Sequence, residues 1–115
     1  MLFQYKTKTL GAVTKFILIG ELIEKEQPRV MLEDIDETLH AGHVKILIDL
    51  KDLKYINSSG LTVLLQMLTK VTVAHGKLAI CNVNERNKEL LQMTKLSKKF
   101  HVCGNELEAL AFLNK

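Results

Sequence analysis

The sequence predicts a single α/β domain over residues 1–115, with strands and helices alternating around a mostly parallel central sheet. First, 115 residues with 47% hydrophobic and 25% charged side chains are typical of one globular domain with a real core. Second, short apolar runs alternate with segments whose apolar residues recur at helical spacing. Third, only the turn at Leu10-Gly11 separates the first two strand-like runs, which predicts a hairpin. The expected order is β-β-α-β-α-β-α-β-α, with the first strand antiparallel at an edge and helices packed on the sheet.

The strand predictions rest on alternation at the start of the chain and on continuous apolar runs further along. Phe3, Tyr5 and Thr7 alternate with polar residues, which is typical of a half-exposed strand. The later runs are more continuously apolar, as expected for strands inside a parallel sheet. These later strands are predicted at residues 13–19, 44–50, 77–83 and 100–103.

The helix predictions rest on apolar residues three or four apart and on the polar or proline residues that precede them. Pro28 suits the first turn of a helix, and Asn84 is a candidate cap. Asn105 with Glu108 resembles a capping box. The expected inward residues are Met31, Ile35 and Leu39; Leu61, Leu64, Leu65, Leu68 and Val71; and Leu107, Leu110 and Leu113. The third helix is predicted to contain Leu90, Leu91 and Met93.

The second helix carries more apolar residues than one buried stripe requires. Val63, Met67 and Ala74 lie on a second face by helical spacing. Two interpretations stay open. Either the helix is buried on two sides, or the second face is a surface that binds a partner.

Residues 49–61 are the most informative stretch of the chain. Residues 49–58 are predicted as a loop beyond the end of a strand, where sites gather in such sheets, and a helix follows. Ser58-Ser59-Gly60 would then stand where the first helical N–H groups are unpaired and an anion is tolerated. A serine there either caps the helix through its Oγ or offers an exposed hydroxyl to a phosphoryl group.

Composition and charge argue against several classes of function. The net charge of +3 comes with scattered lysines, whereas a nucleic-acid surface needs a concentrated basic stripe. No apolar run approaches the roughly 18 residues needed to cross a bilayer, and the first residues lack the order of a signal peptide. Cys81 and Cys103 form no metal pattern and lie in apolar runs, so we expect buried, reduced thiols and a cytoplasmic protein.

No motif for catalysis, metal or cofactor binding stands out. His40 and His43 lack a third ligand at a suitable spacing, and phosphate-loop, dinucleotide and G-x-S-x-G motifs are missing from the sequence. Asp49 at a strand end invites comparison with phosphorylated receiver domains, but the acidic pair these need after their first strand is replaced by Lys6-Thr7-Lys8. We therefore expect no metal and no cofactor.

The same stretch resembles the signature of STAS domains, above all the bacterial anti-sigma factor antagonists, whose usual form ends in D-S-S-G-L. The matching residues here are Leu53-x-Tyr55-Ile56-Asn57-Ser58-Ser59-Gly60-Leu61. Further matches, to the family's G-E-L-D segment, fourth strand and third helix, are Ile19-Gly20-Glu21-Leu22, Lys77-Leu78-Ala79-Ile80-Cys81-Asn82 and Leu90-Leu91-x-Met93-Thr94-x-Leu96. Two residues depart from the pattern, since Asn57 and Ile23 each stand where the family usually has aspartate.

The resemblance implies a partner switch that regulates transcription through a sigma factor. Such antagonists bind an anti-sigma factor that is also a serine kinase; the kinase phosphorylates the first serine of the motif, here Ser58, and a PP2C-type phosphatase restores binding. Asn57, Ser59, Gly60 and Leu61 would frame the site, with Gly60 allowing close backbone approach. Val63 and Met67 are predicted as apolar partner contacts.

Two alternatives remain at this stage, and both dispense with the switch. One is a constitutive STAS interaction module, such as the cytoplasmic STAS subunit of a phospholipid transporter or a scaffold component, in which Ser58 acts only as a cap. The other is a small-ligand or nucleotide-binding protein. The departures at Asn57 and Ile23 bear on the choice, and the oligomeric state stays open.

Overall fold

A computed structural model describes residues 2–24 and 26–115, which form a five-stranded sheet with four α-helices. The strands lie in the order β1-β2-β3-β4-β5; β1 and β2 are antiparallel and the other pairs are parallel. This confirms the predicted α/β class and the antiparallel edge strand. The elements are β1 (Phe3–Leu10), β2 (Val13–Leu22), α1 (Arg29–His40), β3 (Lys45–Ile56), α2 (Ser58–Val73), β4 (Lys77–Cys81), α3 (Glu85–Met93), a 3-10 turn (Leu96–Lys98), β5 (His101–Cys103) and α4 (Glu106–Leu113).

The helices divide between the two faces of the sheet. Side chains alternate across a strand, so Ile46 and Ile48 face one layer and Leu47 faces the other. α1, α2 and α3 cover the larger core on the first face. α4 covers a smaller core on the second face, where Ala109 and Leu113 pack against the sheet.

β3 is longer than predicted, and the predicted loop at residues 49–58 is wrong. The strand runs to Ile56, so Asn57 alone separates it from α2. β3 stays paired with β2, which itself continues to Leu22, through two register shifts in which β3 accommodates extra residues. Exposed polar side chains in this part of β3 have the composition of a loop although the backbone is paired. Since β2 continues to Leu22, the loop predicted at residues 20–27 is shorter than expected. Lys25 within it lies outside the described residues.

α2 is buried on two sides, which contradicts the predicted partner contacts at Val63 and Met67. Val63 and Met67 are fully buried in the main core, so neither side chain lies on a surface available to a partner. The reason is that α2 packs against α1 as well as against β3 and β4. Leu65 and Leu68, which were predicted as core, are only partly buried.

The caps of α3 and α4 form as predicted, but one residue of α4 that was predicted to face inward is exposed. Asn84 Oδ1 accepts from the N–H of Asn87 at 2.8 Å, and Asn105 Oδ1 accepts from the N–H of Glu108 at 2.9 Å. Leu107 is wrong as a core residue because its side chain is 77% exposed. α4 buries Leu113, as predicted, together with Ala109, which was not among the predicted inward residues.

Candidate functional site

Ser58 is the first residue of α2 and is exposed, but it does not cap the helix. The cap is Asn57, whose Oδ1 accepts from the N–H of Gly60 at 3.0 Å. Because this contact already satisfies one unpaired N–H group of the first turn, the helix does not depend on the Ser58 hydroxyl. The interpretation of Ser58 as a capping residue is therefore wrong, and its hydroxyl is accessible from solvent.

Asn57 also ties the start of α2 to the segment that follows β2. Its Nδ2 donates to the backbone carbonyl of Ile23 at 3.2 Å, and its backbone N–H donates to the carbonyl of Leu22 at 3.4 Å. The two positions at which the sequence departs from the usual motif thus contact each other. The amide at position 57 uses both its acceptor and its donor.

Gly60 lies in close contact with the ends of β2 and β3. A Cβ at this position would lie 2.2 Å from the carbonyl oxygen of Leu22 and 2.5 Å from Cγ1 of Ile56. Leu61 is 3% exposed and belongs to the main core. Gly60 and Leu61 therefore hold α2 against the sheet, while Ser58 and half-buried Ser59 lie nearer the surface.

A groove between α1 and α2 is lined by Thr62, which lies one turn after Ser58 in α2. A shallow depression of about 430 Å³ continues into one of about 510 Å³, and the two share Thr69 and Lys70. Lys70 Nζ bridges the helices through Asp36, with both carboxylate oxygens at 3.0 Å. This α1–α2 groove is lined by Leu32, Asp36, Leu39, His40, Thr62, Leu65, Gln66, Thr69, Lys70, Val73 and Ala74.

Ser58 itself lines a hollow of about 270 Å³ between α2 and α3. Its lining, which we call the Ser58–α3 hollow, consists of Tyr55, Ile56, Asn57, Ser58, Arg86, Glu89, Leu90 and Met93. The guanidinium carbon of Arg86 lies 4.4 Å from the centre of the Tyr55 ring, a cation–π contact. No local sequence pattern predicts this hollow, because its two walls lie about 30 positions apart in the chain.

Comparison with known proteins decides the family. The STAS domain family profile matches residues 4–109. The chain belongs to the STAS domain family.

Relatives of this STAS domain include anti-sigma factor antagonists. The anti-sigma F factor antagonist of Paenibacillus polymyxa is 33% identical over 97 residues, which cover 84% of this chain and 82% of that protein. The crystal structure of a candidate anti-sigma factor antagonist from Thermotoga maritima has a TM-score of 0.87 at 24% identity, covering 96% and 95% of the two chains. Two structures of SpoIIAA show the same fold. The unphosphorylated form has a TM-score of 0.71 at 15% identity, covering 94% of each chain. The phosphorylated form from Bacillus has a TM-score of 0.72 at 17% identity, covering 94% of this chain and 97% of that chain.

A buried ionic cluster lies on the second face of this STAS domain, between the sheet and α4. Lys15 Nζ lies 3.2 Å from Asp49 Oδ2 and also contacts Glu106 of α4. Burial lowers the pKa of Lys15, but hydrogen bonds to Glu106 and Asp49 outweigh it and raise the pKa above its ordinary value. Asp49 Oδ1 accepts from the N–H of Lys51 and from Asn82 Nδ2. Asp49 is thus held inside a structural network, which agrees with rejecting it as a phosphate acceptor.

The two cysteines are buried free thiols on adjacent strands, as predicted. Burial and the nearby Asp49 carboxylate raise the pKa of Cys81 to about 12, and burial raises that of Cys103. A thiol with a raised pKa stays protonated at neutral pH and is a poor nucleophile or metal ligand.

Two further observations concern the described residues only. Within residues 2–24 and 26–115, no cluster of three His, Cys, Asp or Glu side chains could hold a metal ion. Across the same ranges, none of the helices has the length and apolar character required to span a bilayer.

Proposed function

We propose that this STAS domain is an anti-sigma factor antagonist, acting in the cytoplasm, that binds an anti-sigma factor with serine kinase activity and is switched off by phosphorylation at Ser58. The observation that carries the proposal is the exposed Ser58 hydroxyl at the start of α2, which Asn57 releases from capping. Relatives named as anti-sigma factor antagonists support it. The domain would be a ligand and a kinase substrate rather than an enzyme, and a PP2C-type phosphatase would reverse the modification.

The binding surface we propose starts at Ser58 and continues along the exposed side of α2 into the α1–α2 groove. Thr62 and Gln66 follow Ser58 at intervals of four residues, which places them on one face of the helix. Leu65 and Leu32 supply partly buried apolar surface beside them. Such partly exposed leucines are suited to a partner contact that the fully buried Val63 and Met67 cannot make.

Phosphorylation at Ser58 would act through charge at the edge of this surface. The γ-phosphoryl group of a nucleotide bound to the kinase is transferred to Ser58 Oγ, with release of the hydroxyl proton and the nucleoside diphosphate. The product carries about −1.5 to −2 charges at neutral pH. A charge of that size beside a partly apolar interface adds a desolvation cost and repulsion from acidic partner groups, which lowers partner affinity.

The test is a pulldown from native cytoplasm with four baits: wild type, Ser58→Ala, Ser58→Glu and Thr7→Glu. Thr7 is exposed on β1, so Thr7→Glu is a matched control for an added carboxylate elsewhere on the surface. We expect wild type, Ser58→Ala and Thr7→Glu to recover an anti-sigma factor kinase, and Ser58→Glu to lose it. Phosphosite mapping after reaction with that kinase should place the label on Ser58.

The same experiment distinguishes the alternative of a constitutive STAS module. Equal recovery of one partner by all four baits, such as a transporter subunit or a scaffold component, would refute the switch. A label at a residue other than Ser58 would refute the proposed phosphorylation site while leaving the interaction with the kinase intact.

A further inference from the structure

We propose that Arg86 of α3 binds the phosphate group when Ser58 is phosphorylated, so that the Ser58–α3 hollow is a phosphoserine-binding site within the chain. The inference rests on the proposed phosphorylation of Ser58 and adds the residue that receives the new charge. The recognised chemistry is a phosphate monoester, and the recognising group is a guanidinium.

Ser58 and Arg86 line the same hollow from opposite walls. Ser58 begins α2 at the end of β3, whereas Arg86 lies in the first turn of α3. The hollow has a volume of about 270 Å³. Since a water molecule occupies about 30 Å³ of liquid, there is room for a phosphate group with part of its hydration.

Arg86 is available for such a contact. Its side chain is exposed, and its guanidinium rests on the Tyr55 ring. Among residues 2–24 and 26–115, no carboxylate forms an ion pair with Arg86. An exposed cation–π contact is weak compared with a bidentate guanidinium–phosphate pair, so the side chain can exchange Tyr55 for the phosphate at little cost.

The first turn of α3 is tied to β3, which holds Arg86 in the wall of the hollow that Ser58 also lines. Asn87, the next residue, is 1% exposed and makes two hydrogen bonds to β3. Its Oδ1 accepts from the N–H of Ile56 at 3.1 Å, and its Nδ2 donates to the carbonyl of Leu53 at 3.0 Å. These bonds fix the first turn of α3 to the strand that ends two residues before Ser58.

The remaining charge in the hollow orients the phosphate. Glu89 lines the hollow one turn after Arg86, and Tyr55 is the other titratable group in the lining. A dianion on Ser58 is attracted to Arg86 and repelled by Glu89, so it settles toward the beginning of α3. Arg86 then leaves Tyr55, and phosphorylation alters the α3 side of the site as well as the α1–α2 groove.

The test uses the full chain with phosphoserine incorporated at position 58 during synthesis, and follows the phosphate by 31P NMR as a function of pH. The second pKa of phosphoserine is about 6. A guanidinium contact favours the dianion, so we expect a pKa lowered by up to about one unit, given that Arg beside a carboxylate lowers its pKa by about 1–3 units. Arg86→Ala should raise the pKa toward its ordinary value, and Arg86→Lys should restore part of the shift.

Two variants on the same helix complete the experiment. Lys88→Ala is the control, because Lys88 is also an exposed cation of α3 but lines a different hollow; it should leave the titration unchanged. Glu89→Gln removes the repelling charge and should lower the pKa further. Identical titration curves for wild type and Arg86→Ala, or an equal loss of the shift in Lys88→Ala, would overturn the proposal. Because the phosphate is incorporated without a kinase, neither result depends on whether Ser58 is the natural acceptor.

Discussion

The side-chain amide of Asn57 donates a hydrogen bond to the backbone carbonyl of Ile23 at 3.2 Å. At the same time its oxygen accepts from the N–H of Gly60 at 3.0 Å. The family usually has aspartate at the positions of both Asn57 and Ile23. An ionised aspartate at position 57 would keep the cap but has no donor for the carbonyl of residue 23, so this chain depends on the amide.

Replacement of Asn57 should reveal both hydrogen bonds. Asn57→Asp keeps the cap and loses the bond to Ile23, so we expect the free energy of unfolding to fall by about 1 kcal/mol. Asn57→Ala loses both contacts and should cost roughly 2–3 kcal/mol. Urea denaturation measures both values. Asn105→Ala is the control, because Asn105 caps α4 through a single bond to Glu108 and should cost less than Asn57→Ala. An Asn57→Asp protein as stable as wild type would contradict this account.

Gly60→Ala should destabilise the domain although alanine is the better helix former. The added Cβ would meet the carbonyl oxygen of Leu22 at 2.2 Å, which forces α2 away from the sheet. We expect a loss of about 1–3 kcal/mol in the free energy of unfolding, the range for overpacked sites. For Gly104→Ala the nearest atom is the carboxylate end of Glu108 at 3.0 Å, which can move, so that control should change little. Equal stability of the two variants would disprove the close-packing argument.

Lys15→Ala should cost about 3 kcal/mol, because removing one partner of a buried pair leaves the other charge uncompensated. The side chains of Lys15 and Asp49 are only 13% and 8% exposed. Lys70→Ala is the comparison, since Lys70 and Asp36 are 33% and 48% exposed and such pairs contribute less than about 1 kcal/mol. Thermal and urea unfolding should show the difference. Similar losses in the two variants would mean that the Lys15 cluster is no better shielded from water than the pair on the helices.

The buried thiols predict a loss of stability at alkaline pH. Cys81 keeps its proton in the folded chain up to a pKa of about 12, whereas the unfolded thiol ionises near its ordinary value of 9.0. The stabilisation from Cys81 is therefore complete below pH 9 and declines as the pH rises towards 12, by about 1 kcal/mol over the first unit. Urea unfolding at pH 8, 9 and 10 under reducing conditions should show a smaller decline for Cys81→Ala than for wild type.

The measurement is confined to pH 8–10 because above pH 10 the ionisation of other groups also changes the free energy of unfolding. Burial and the hydrogen bond to Asp34 raise the pKa of Tyr5 from 10.0 to about 12, so its stabilisation begins to decline only above pH 10. Lys15 behaves likewise above its ordinary value of 10.5. Parallel declines for wild type and Cys81→Ala between pH 8 and 10 would show that the Cys81 thiol is not the group responsible.

Leu65→Ala should weaken binding of the anti-sigma factor if the α1–α2 groove is the partner surface. Truncation of a partly exposed leucine removes apolar contact worth about 1 kcal/mol, roughly a fivefold increase in Kd. Leu107→Ala is a matched control, because Leu107 is 77% exposed on α4, across the sheet from the groove. Calorimetric titration of the partner identified by pulldown measures both. A Kd that changes equally in the two variants would place the interface elsewhere.

Local patterns in the chain were sufficient for the element order, the hairpin, the parallel core and the position of the Ser58 motif. They were sufficient because hydrophobic periodicity and the caps at Asn84 and Asn105 depend on residues close together in sequence. The same patterns failed at residues 49–56, where polar side chains on a bulged strand imitate a loop. They also failed at Val63 and Met67, because spacing shows that a helix has two apolar faces but not what covers the second.

Only the tertiary structure decided which residue caps α2, which side chains remain exposed beside Ser58, and what surrounds them. Asn57 caps the helix and reaches Ile23 because β2 and β3 run farther than their apolar cores. Arg86 comes beside Ser58 because Asn87 binds α3 to the end of β3. The contacts of Asn57 with Ile23 and of Asn87 with Ile56 join residues more than 30 positions apart in the chain. Such separations are closed by packing on the sheet, which no local pattern encodes.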